Sequence, residues 1–195
     1  MLPQAIVDRF HDLLARAVAA GEPEPTAMSL ATADAHGRPS VRTVLLKQFG
    51  IDGIVYYSNA ESRKGEQLAE NPLAAICLLW KRLDRQVQVR AEGRVEHVDD
   101  AEADAYFASR PRGSQIGAWA SAQSRPLDGR GELEARIEAT ESRYVGQPVP
   151  RPPYWIGYRL VPDRVEFWFG GEFRLHDRVL FTWDGSEWQE SRLYP

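Results

Sequence analysis

A chain of 195 residues with a single cysteine cannot close an intrachain disulfide. Cys77 lies in the apolar stretch AAICLLW, reads as a buried, unreactive thiol rather than a nucleophile, and fits a reducing compartment. Histidine is scarce too. His11, His36, His97 and His176 are scattered, and without HExxH or paired-cysteine spacing no metal centre is expected. No GxSxG elbow supports serine-hydrolase chemistry. Neither GxGxxG nor GxxxxGK[ST] occurs, so a doubly wound nucleotide-binding fold is disfavoured and any phosphate must be held by side chains. There is no excess of positive charge: a formal net charge of -4 argues against non-specific nucleic-acid binding. Long hydrophobic runs are also missing. Asp8, Arg9, His11, Asp12 and Arg16 interrupt the N-terminal apolar residues, so neither a signal-peptide core nor a membrane span is expected, and the cytoplasm is the natural location.

What is present belongs to an ordinary folded protein, 43% hydrophobic and 27% charged. The length suits one domain over residues 1–195. Ile6, Phe10, Leu13, Leu14 and Ala17 recur at helical spacing before Gly21, which predicts an amphipathic first helix. MSLATA, PSVRTVLLKQF and IVYYS read as three successive strands. Ser62 caps a short helix over RKGEQLAE, and AAICLLW and RQVQVRAEGRVEHV resume strand character. Asp99 and Glu102 resemble a capping pair for a helix ended by Pro111, and GELEARIEATESRY predicts another helix. YWIGYRL and RVEFWF read as two strands. VLFTWDGSEWQESRL reads as a hairpin about Asp184-Gly185, with a turn of the primed type. Many short antiparallel strands with helices outside them predict an α+β protein, a closed or partly closed barrel with peripheral helices.

The basic residues carry the chemical information. Arg63 and Lys64 follow Ser62 at a helix start, where free N–H groups favour an anion; a solvated basic pair is the plainer reading. Arg42 and Lys47 border the apolar run TVLL, where a charge needs solvent or an anionic ligand. Five positions apart on a regular strand they face opposite ways, so one pocket can use both only across a bulge or strand end. Gln86 and Gln88 put amides on one strand face, either a solvent-facing row or partners for a ring with alternating donors and acceptors. In VEFWFGGEFRLHDR, Arg174, His176 and Arg178 share a face if the segment is extended, after Trp168 and the flexible Gly170-Gly171. Such a cluster calls for an anionic ligand, unless it is a cationic edge strand that discourages aggregation.

PTAMSLATAD, RTVLLK, YYSNAESRK, RQVQV, YFASRPRGSQIGAWAS, Gln123-Ser124 and EFWFGGEFRLHDR through RLYP together resemble the pyridoxamine 5′-phosphate oxidase family, from about Pro25 to Pro195. The resemblance implies an antiparallel split β-barrel, a homodimer with FMN at the subunit interface. It implies FMN contacts from Arg42, Thr43, Val44, Leu45, Leu46 and Lys47, from Tyr57 and Ser58, and from Arg63 and Lys64, which face its phosphate. Gln86, Gln123, Ser124, Trp168 and Arg178 complete that set. The implied substrate phosphate site is Lys47, Tyr106, Arg110 and Ser114, with Arg174, Leu175 and His176 holding the pyridine ring and Arg174 and His176 as the catalytic pair.

The implied activity is oxidation of pyridoxamine and pyridoxine 5′-phosphates by dioxygen to pyridoxal 5′-phosphate, the flavin carrying the redox chemistry and the protein positioning C4′. Two departures stand out: Phe169 replaces a polar residue, often glutamine, at the flavin's edge, and the N-terminus lacks an arginine-and-tyrosine segment that folds over substrate in some members. The competing expectations are a split-barrel tailoring oxidase of secondary metabolism and a non-catalytic protein that stores flavin or pyridoxal phosphate.

Overall fold

In the computed structural model, which describes residues 1–195, helix α1 (Gln4–Ala19) buries Ile6, Val7, Phe10, Leu13 and Ala17 along one stripe. That stripe packs on a sheet whose strands follow in chain order: β1 (Ala27–Ala33), β2 (Pro39–Leu45), β3 (Gln48–Gly50) and β4 (Gly53–Asn59). Helix α2 (Arg63–Glu70) leads to β5 (Leu73–Trp80) and β6 (Val87–His97). Three helices, α3 (Asp100–Ser109), α4 (Arg112–Ala120) and α5 (Arg130–Arg143), precede β7 (Trp155–Phe169), β8 (Asp177–Trp183) and β9 (Trp188–Leu193). The pairings in register are all antiparallel, and the nine strands form one sheet in the order β2-β1-β5-β6-β7-β4-β3, with β8 and β9 added beside β7. The sheet curls into the half-open antiparallel barrel expected, with the helices outside it.

The main core lies between α1 and the inner sheet face, where Phe10 stacks on Phe49 at 3.9 Å between ring centroids and Trp80 donates its indole N–H to the Pro25 carbonyl at 2.7 Å. A second cluster of Phe107, Ile116, Tyr144, Val149 and Trp155 glues α3, α4 and α5 to the start of β7.

Several boundaries differ from expectation, each for a local reason. PSVRTVLLKQF breaks into β2 and β3 at Leu46-Lys47, because Leu46 N–H turns to the Thr26 carbonyl and Lys47 N–H to the Val55 carbonyl. YWIGYRL and RVEFWF are one strand, β7, running through Pro162. Pro162 faces Gly93 at a bulge on one side, while on the other it falls between the last β4 partner, Leu160, and the first β8 partner, Arg164, so its missing N–H costs no ladder bond. The last hairpin closes over four residues, 184–187, rather than a two-residue primed turn. The Asp184 carboxylate accepts the N–H groups of Ser186 and Glu187, which organises the longer loop. Asp99 caps α3 through the Glu102 N–H at 2.8 Å, but the Glu102 carboxylate turns to Tyr57 and Arg159 instead of closing a capping box. Helix α4 was not legible as a helix: Gly113, Ser114 and Gly117 lower its propensity, and only Ile116 and Ala120 are buried.

Because Phe10 is fully buried and stacked, Phe10→Ala is expected to cost about 3–5 kcal/mol. Urea unfolding at fixed protein concentration checks this, and a loss below about 1 kcal/mol would contradict the packing described.

Candidate functional site

Beside α2 the chain folds so closely that a Cβ on Gly65 would collide with the Ala60 carbonyl. Ser62 caps the helix, its hydroxyl donating to the Asn59 carbonyl at 2.6 Å and accepting the Gly65 N–H at 3.4 Å. Lys64 is buried beneath this turn, and its ammonium donates to Ser62 Oγ at 2.8 Å and Gln123 Oε1 at 2.5 Å. Burial first, then the nearby Arg42 charge, bring the Lys64 pKa down to about 8. Lys64 is therefore not the solvated cation of the plainer reading, while its neighbour Arg63 is exposed.

Arg42 reaches across from β2 and donates to Leu30 O at 3.1 Å, Thr32 Oγ1 at 2.7 Å and Ser40 Oγ at 2.5 Å. Both hydroxyls in turn donate to Gln67 Oε1 at 2.6 Å. Lys47 lies past the end of β2, so the strand end that one shared pocket requires is present.

On the opposite wall Trp155, Tyr57 and Tyr106 form a stack, with Tyr57 5.1 Å from Trp155 and 4.2 Å from Tyr106. The Arg110 guanidinium lies 4.8 Å over Trp155 and the Lys47 ammonium 5.8 Å over Tyr106. Arg110 Nη1 is buried with no hydrogen-bond partner, and burial lowers the Arg110 pKa. Tyr57 is pushed up to about 12 by burial and by Glu102, so it remains a neutral phenol.

These walls enclose a cavity of about 720 Å³. It brings together Arg42, Thr43, Val44, Leu45, Lys47, Tyr57, Ser58, Arg63, Lys64, Tyr106, Arg110, Ser114, Gln123 and Ser124. Five of these are cations, no acidic residue lines the cavity, and none of the five forms an ion pair. Leu46 instead points into the core. Ser40, Val41, Pro111 and Trp155 complete the lining; Trp155, in a segment legible only as a strand, was missed although an aromatic beside basic residues was the available signal.

Gln86, Trp168, Arg174, Leu175, His176 and Arg178 lie outside this cavity. The extended face expected for Arg174, His176 and Arg178 does not form. Glu172–Arg174 is a 3₁₀ turn in which Phe173 and Arg174 adopt φ of 52° and 64°, and β8 begins only at Asp177. Arg178 is not free for an anion here: its guanidinium pairs with buried Glu166, Nε to Oε1 at 2.8 Å, and Arg90 contacts the same carboxylate. Both arginines hold Glu166 below the usual carboxylate range against the cost of burial. The His176 ring lies against Trp168 at 4.5 Å between centroids, tilted by 44°, and its Nδ1 accepts the Gly171 N–H at 3.1 Å, so a neutral ring carries its proton on Nε2. Gln86 precedes β6 rather than belonging to it, and Gln88 Oε1 faces the Cys77 thiol at 3.8 Å. Phe169 packs on the core side of β7, with Arg9 and Arg85 over its ring at 5.3 and 5.4 Å, on the face opposite Trp168.

Residues 14–144 match the family described as Pyridoxamine 5′-phosphate oxidase, and residues 155–195 match the Pyridoxine 5′-phosphate oxidase C-terminal dimerisation region. The chain is 54% identical over 195 residues to a pyridoxine/pyridoxamine 5′-phosphate oxidase of Myxococcus xanthus (strain DK1622), covering 100% of this chain and 94% of that protein. It is 56% identical over 179 residues to one from Rhodospirillum rubrum, covering 88% and 87%. Among solved structures, PhzG from Burkholderia lata 383 in complex with tetrahydrophenazine-1-carboxylic acid gives a TM-score of 0.89 at 32% identity, covering 97% of this chain and 92% of that one. A pyridoxamine 5′-phosphate oxidase-related, FMN-binding protein from Nostoc punctiforme shares the fold, with a TM-score of 0.74 at 20% identity over 96% of each chain. With most of its residues inside one family and its last three strands inside that family's dimerisation region, the chain belongs to the pyridoxamine 5′-phosphate oxidase family.

Proposed function

We propose that this protein is an FMN-dependent oxidase that converts pyridoxamine and pyridoxine 5′-phosphates to pyridoxal 5′-phosphate with dioxygen as acceptor, releasing hydrogen peroxide, and ammonia from the amine. The observation that carries the reading is the cavity of five cations with no carboxylate. Uncompensated charges of one sign in a partly buried site require anions, and a phosphorylated cofactor with a phosphorylated substrate supplies two. The donor set fits both. Arg63, Lys64 and the α2 N-terminus suit the FMN phosphate, with Arg42, Ser58, Gln123 and Ser124 beside them. Lys47, Tyr106, Ser114 and the unpartnered Arg110 Nη1 suit the substrate phosphate.

When bound, FMN would supply the two-electron redox chemistry for oxidation at the substrate C4′, with dioxygen as the final acceptor. The chain's own share is orientation: Arg174, Leu175 and His176 hold the pyridine ring, and His176 presents its Nε2 side because Nδ1 is occupied by Gly171. These residues, with Gln86, Trp168 and Arg178, reach the cofactor from a second copy of the chain. Ile156 of β7 pairs with Ser58 at the cavity, whereas Trp168 lies twelve residues further along β7, roughly 40 Å of extended strand at about 3.3 Å per residue. One flavin cannot bridge that length within one chain. A homodimer supplies both halves, and the outward sheet face that exposes Val41, Leu45 and Leu79 offers an apolar surface for it. We read residues 1–195 as one FMN-binding unit, and cytoplasmic residence rests on the unpaired Cys77, whose thiol burial makes less acidic.

A second reading, oxidation of a reduced tricyclic acid, is favoured by the likeness to PhzG and disfavoured by identity, 32% against 54% for the Myxococcus oxidase. An aerobic assay of FMN-reconstituted protein with pyridoxamine 5′-phosphate separates the two. Equal yields of pyridoxal phosphate and peroxide support the proposal; bound flavin without turnover favours the second reading; failure to bind flavin sinks the site assignment.

Arg110→Leu removes a charge-assisted phosphate contact and is expected to raise KM between about tenfold and a hundredfold, with FMN retained. Steady-state kinetics and the flavin absorbance check it. Arg174→Ala is expected to cut turnover severely while the protein stays yellow; a colourless variant contradicts its substrate-side role.

The depressed Lys64 pKa gives a pH dependence with a definite sign. The cation is present below about 8 and is lost as pH rises through that value, while the phosphate stays dianionic throughout. FMN affinity should therefore fall between pH 7 and 9, and Lys64→Met should weaken binding at pH 7 and flatten the profile. Fluorescence titration across that range decides it.

A further inference from the structure

The turn between β7 and β8 carries Arg174, Leu175 and His176, yet its own chemistry does little to hold it still. Phe173 and Arg174 adopt left-handed backbone angles that cost a non-glycine residue energy, and Phe173 is 90% exposed. Inside the turn, Leu175 N–H donates to Glu172 O at 2.9 Å and Gly171 N–H to His176 Nδ1 at 3.1 Å. A Cβ at Gly171 would collide with the Leu175 carbonyl, so the path is closely drawn. Bonds reaching the turn from outside come from two adjacent residues. The Gln86 carbonyl accepts Gly170 N–H at 2.8 Å, and Arg85 does the rest.

Arg85 Nε donates to the Gly170 carbonyl at 2.8 Å, Nη2 to the Phe169 carbonyl at 3.2 Å, and the same Nη2 to Asp177 Oδ2 at 2.9 Å. Its guanidinium also lies 5.4 Å over the Phe169 ring, which fixes it laterally. Phe169 and Asp177 are the last register pair of β7 and β8, the two stems from which the turn leaves the sheet. One planar group thus bonds to both stems at once: Nη2 bridges Phe169 and Asp177 while Nε, a second donor in the same rigid fork, holds Gly170, a division of labour that the single nitrogen of a lysine does not reproduce.

We propose that Arg85 is a positioning residue for the substrate-side turn: by tying Phe169 and Gly170 to Asp177 it fixes the direction in which Arg174 and His176 project. It touches neither substrate nor flavin in this role. The proposal rests on the reading above that Arg174 and His176 contact the substrate, and it explains Phe169 as the surface on which Arg85 lies.

The test uses the FMN-loaded protein and pyridoxamine 5′-phosphate. Arg85→Ala is expected to raise KM about tenfold or more, with flavin bound in full, because a displaced turn misplaces both contacts. Arg85→Lys should recover only part of the loss. If Arg85 acts through the turn, adding Arg85→Ala to Arg174→Ala should raise KM by clearly less than it does in the otherwise unaltered protein, because only the His176 contact is left to misplace. Full additivity in that double variant, or an unchanged KM in Arg85→Ala, overturns the proposal. Should Arg85→Ala fold poorly, Asp177→Ala removes the acceptor at the other end of the tie and must raise KM in the same direction, an unchanged value again overturning it. If Arg174→Ala alone leaves KM and turnover intact, the substrate-side reading of the turn has failed, and that failure is seen before Arg85 is altered.

Discussion

The structure depends on holding five cations around one cavity without a carboxylate. Two like charges 4 Å apart at an effective dielectric of about 20 repel by about 4 kcal/mol, so a cluster of this kind folds only if each charge is solvated or given neutral partners. The chain uses two neutral devices. Arg42 and Lys64 donate to hydroxyls, amides and a carbonyl from β1, β2, α2 and the segment after α4. Lys47 and Arg110 rest on the faces of Tyr106 and Trp155. Neither device cancels charge, and the whole of it is left for ligands.

The far end of β7, where it meets β8, follows the opposite rule. Arg178 and Arg90 converge on Glu166, which is 2% exposed, and Arg85 meets Asp177. Here the charges are satisfied within the chain, and the arginines act as struts on the sheet. The same residue type thus does two jobs, and the difference lies in whether a carboxylate occupies the neighbouring strand position. Glu166 stands opposite Arg90 in the β6–β7 ladder, whereas no strand of the cavity wall carries an acidic partner for Arg42.

Strand identities, the Ser62 cap, the first helix and the absence of a nucleotide-binding βαβ unit were legible because each rests on local periodicity or turn chemistry. The break at Leu46-Lys47 was not, since it is set by tertiary bonds to Thr26 and Val55, and it is what lets Arg42 and Lys47 share a cavity. The union of two strands into β7 was hidden by Pro162, harmless only because of the bulge opposite and the change of partner beside it. Basic residues could be picked out as anion-seeking, but not which of them would be neutralised internally. Arg178 and Arg42 look alike in sequence, and only the register that sets Glu166 beside one of them tells them apart.

Under the proposed function, the length of β7 decides how the site must be assembled. A strand that starts at the cavity and ends at the tilted Trp168–His176 pair puts roughly 40 Å of extended chain, at about 3.3 Å per residue, between the cavity and the turn. The pairing partners reinforce the separation: β4 flanks the first half of β7 and brings Tyr57 and Ser58, while β8 flanks the second half and brings Arg178. Neither half is a complete site. The cavity half has charge and an aromatic wall but no residue from the turn, and the turn half has Arg174 and His176 beside an Arg178 whose charge is already neutralised by Glu166. In the proposed homodimer a two-fold arrangement would let the uncompensated cavity of one copy meet the preset turn of the other, so the rigidity that keeps the halves apart within a chain would also fix how they meet between chains.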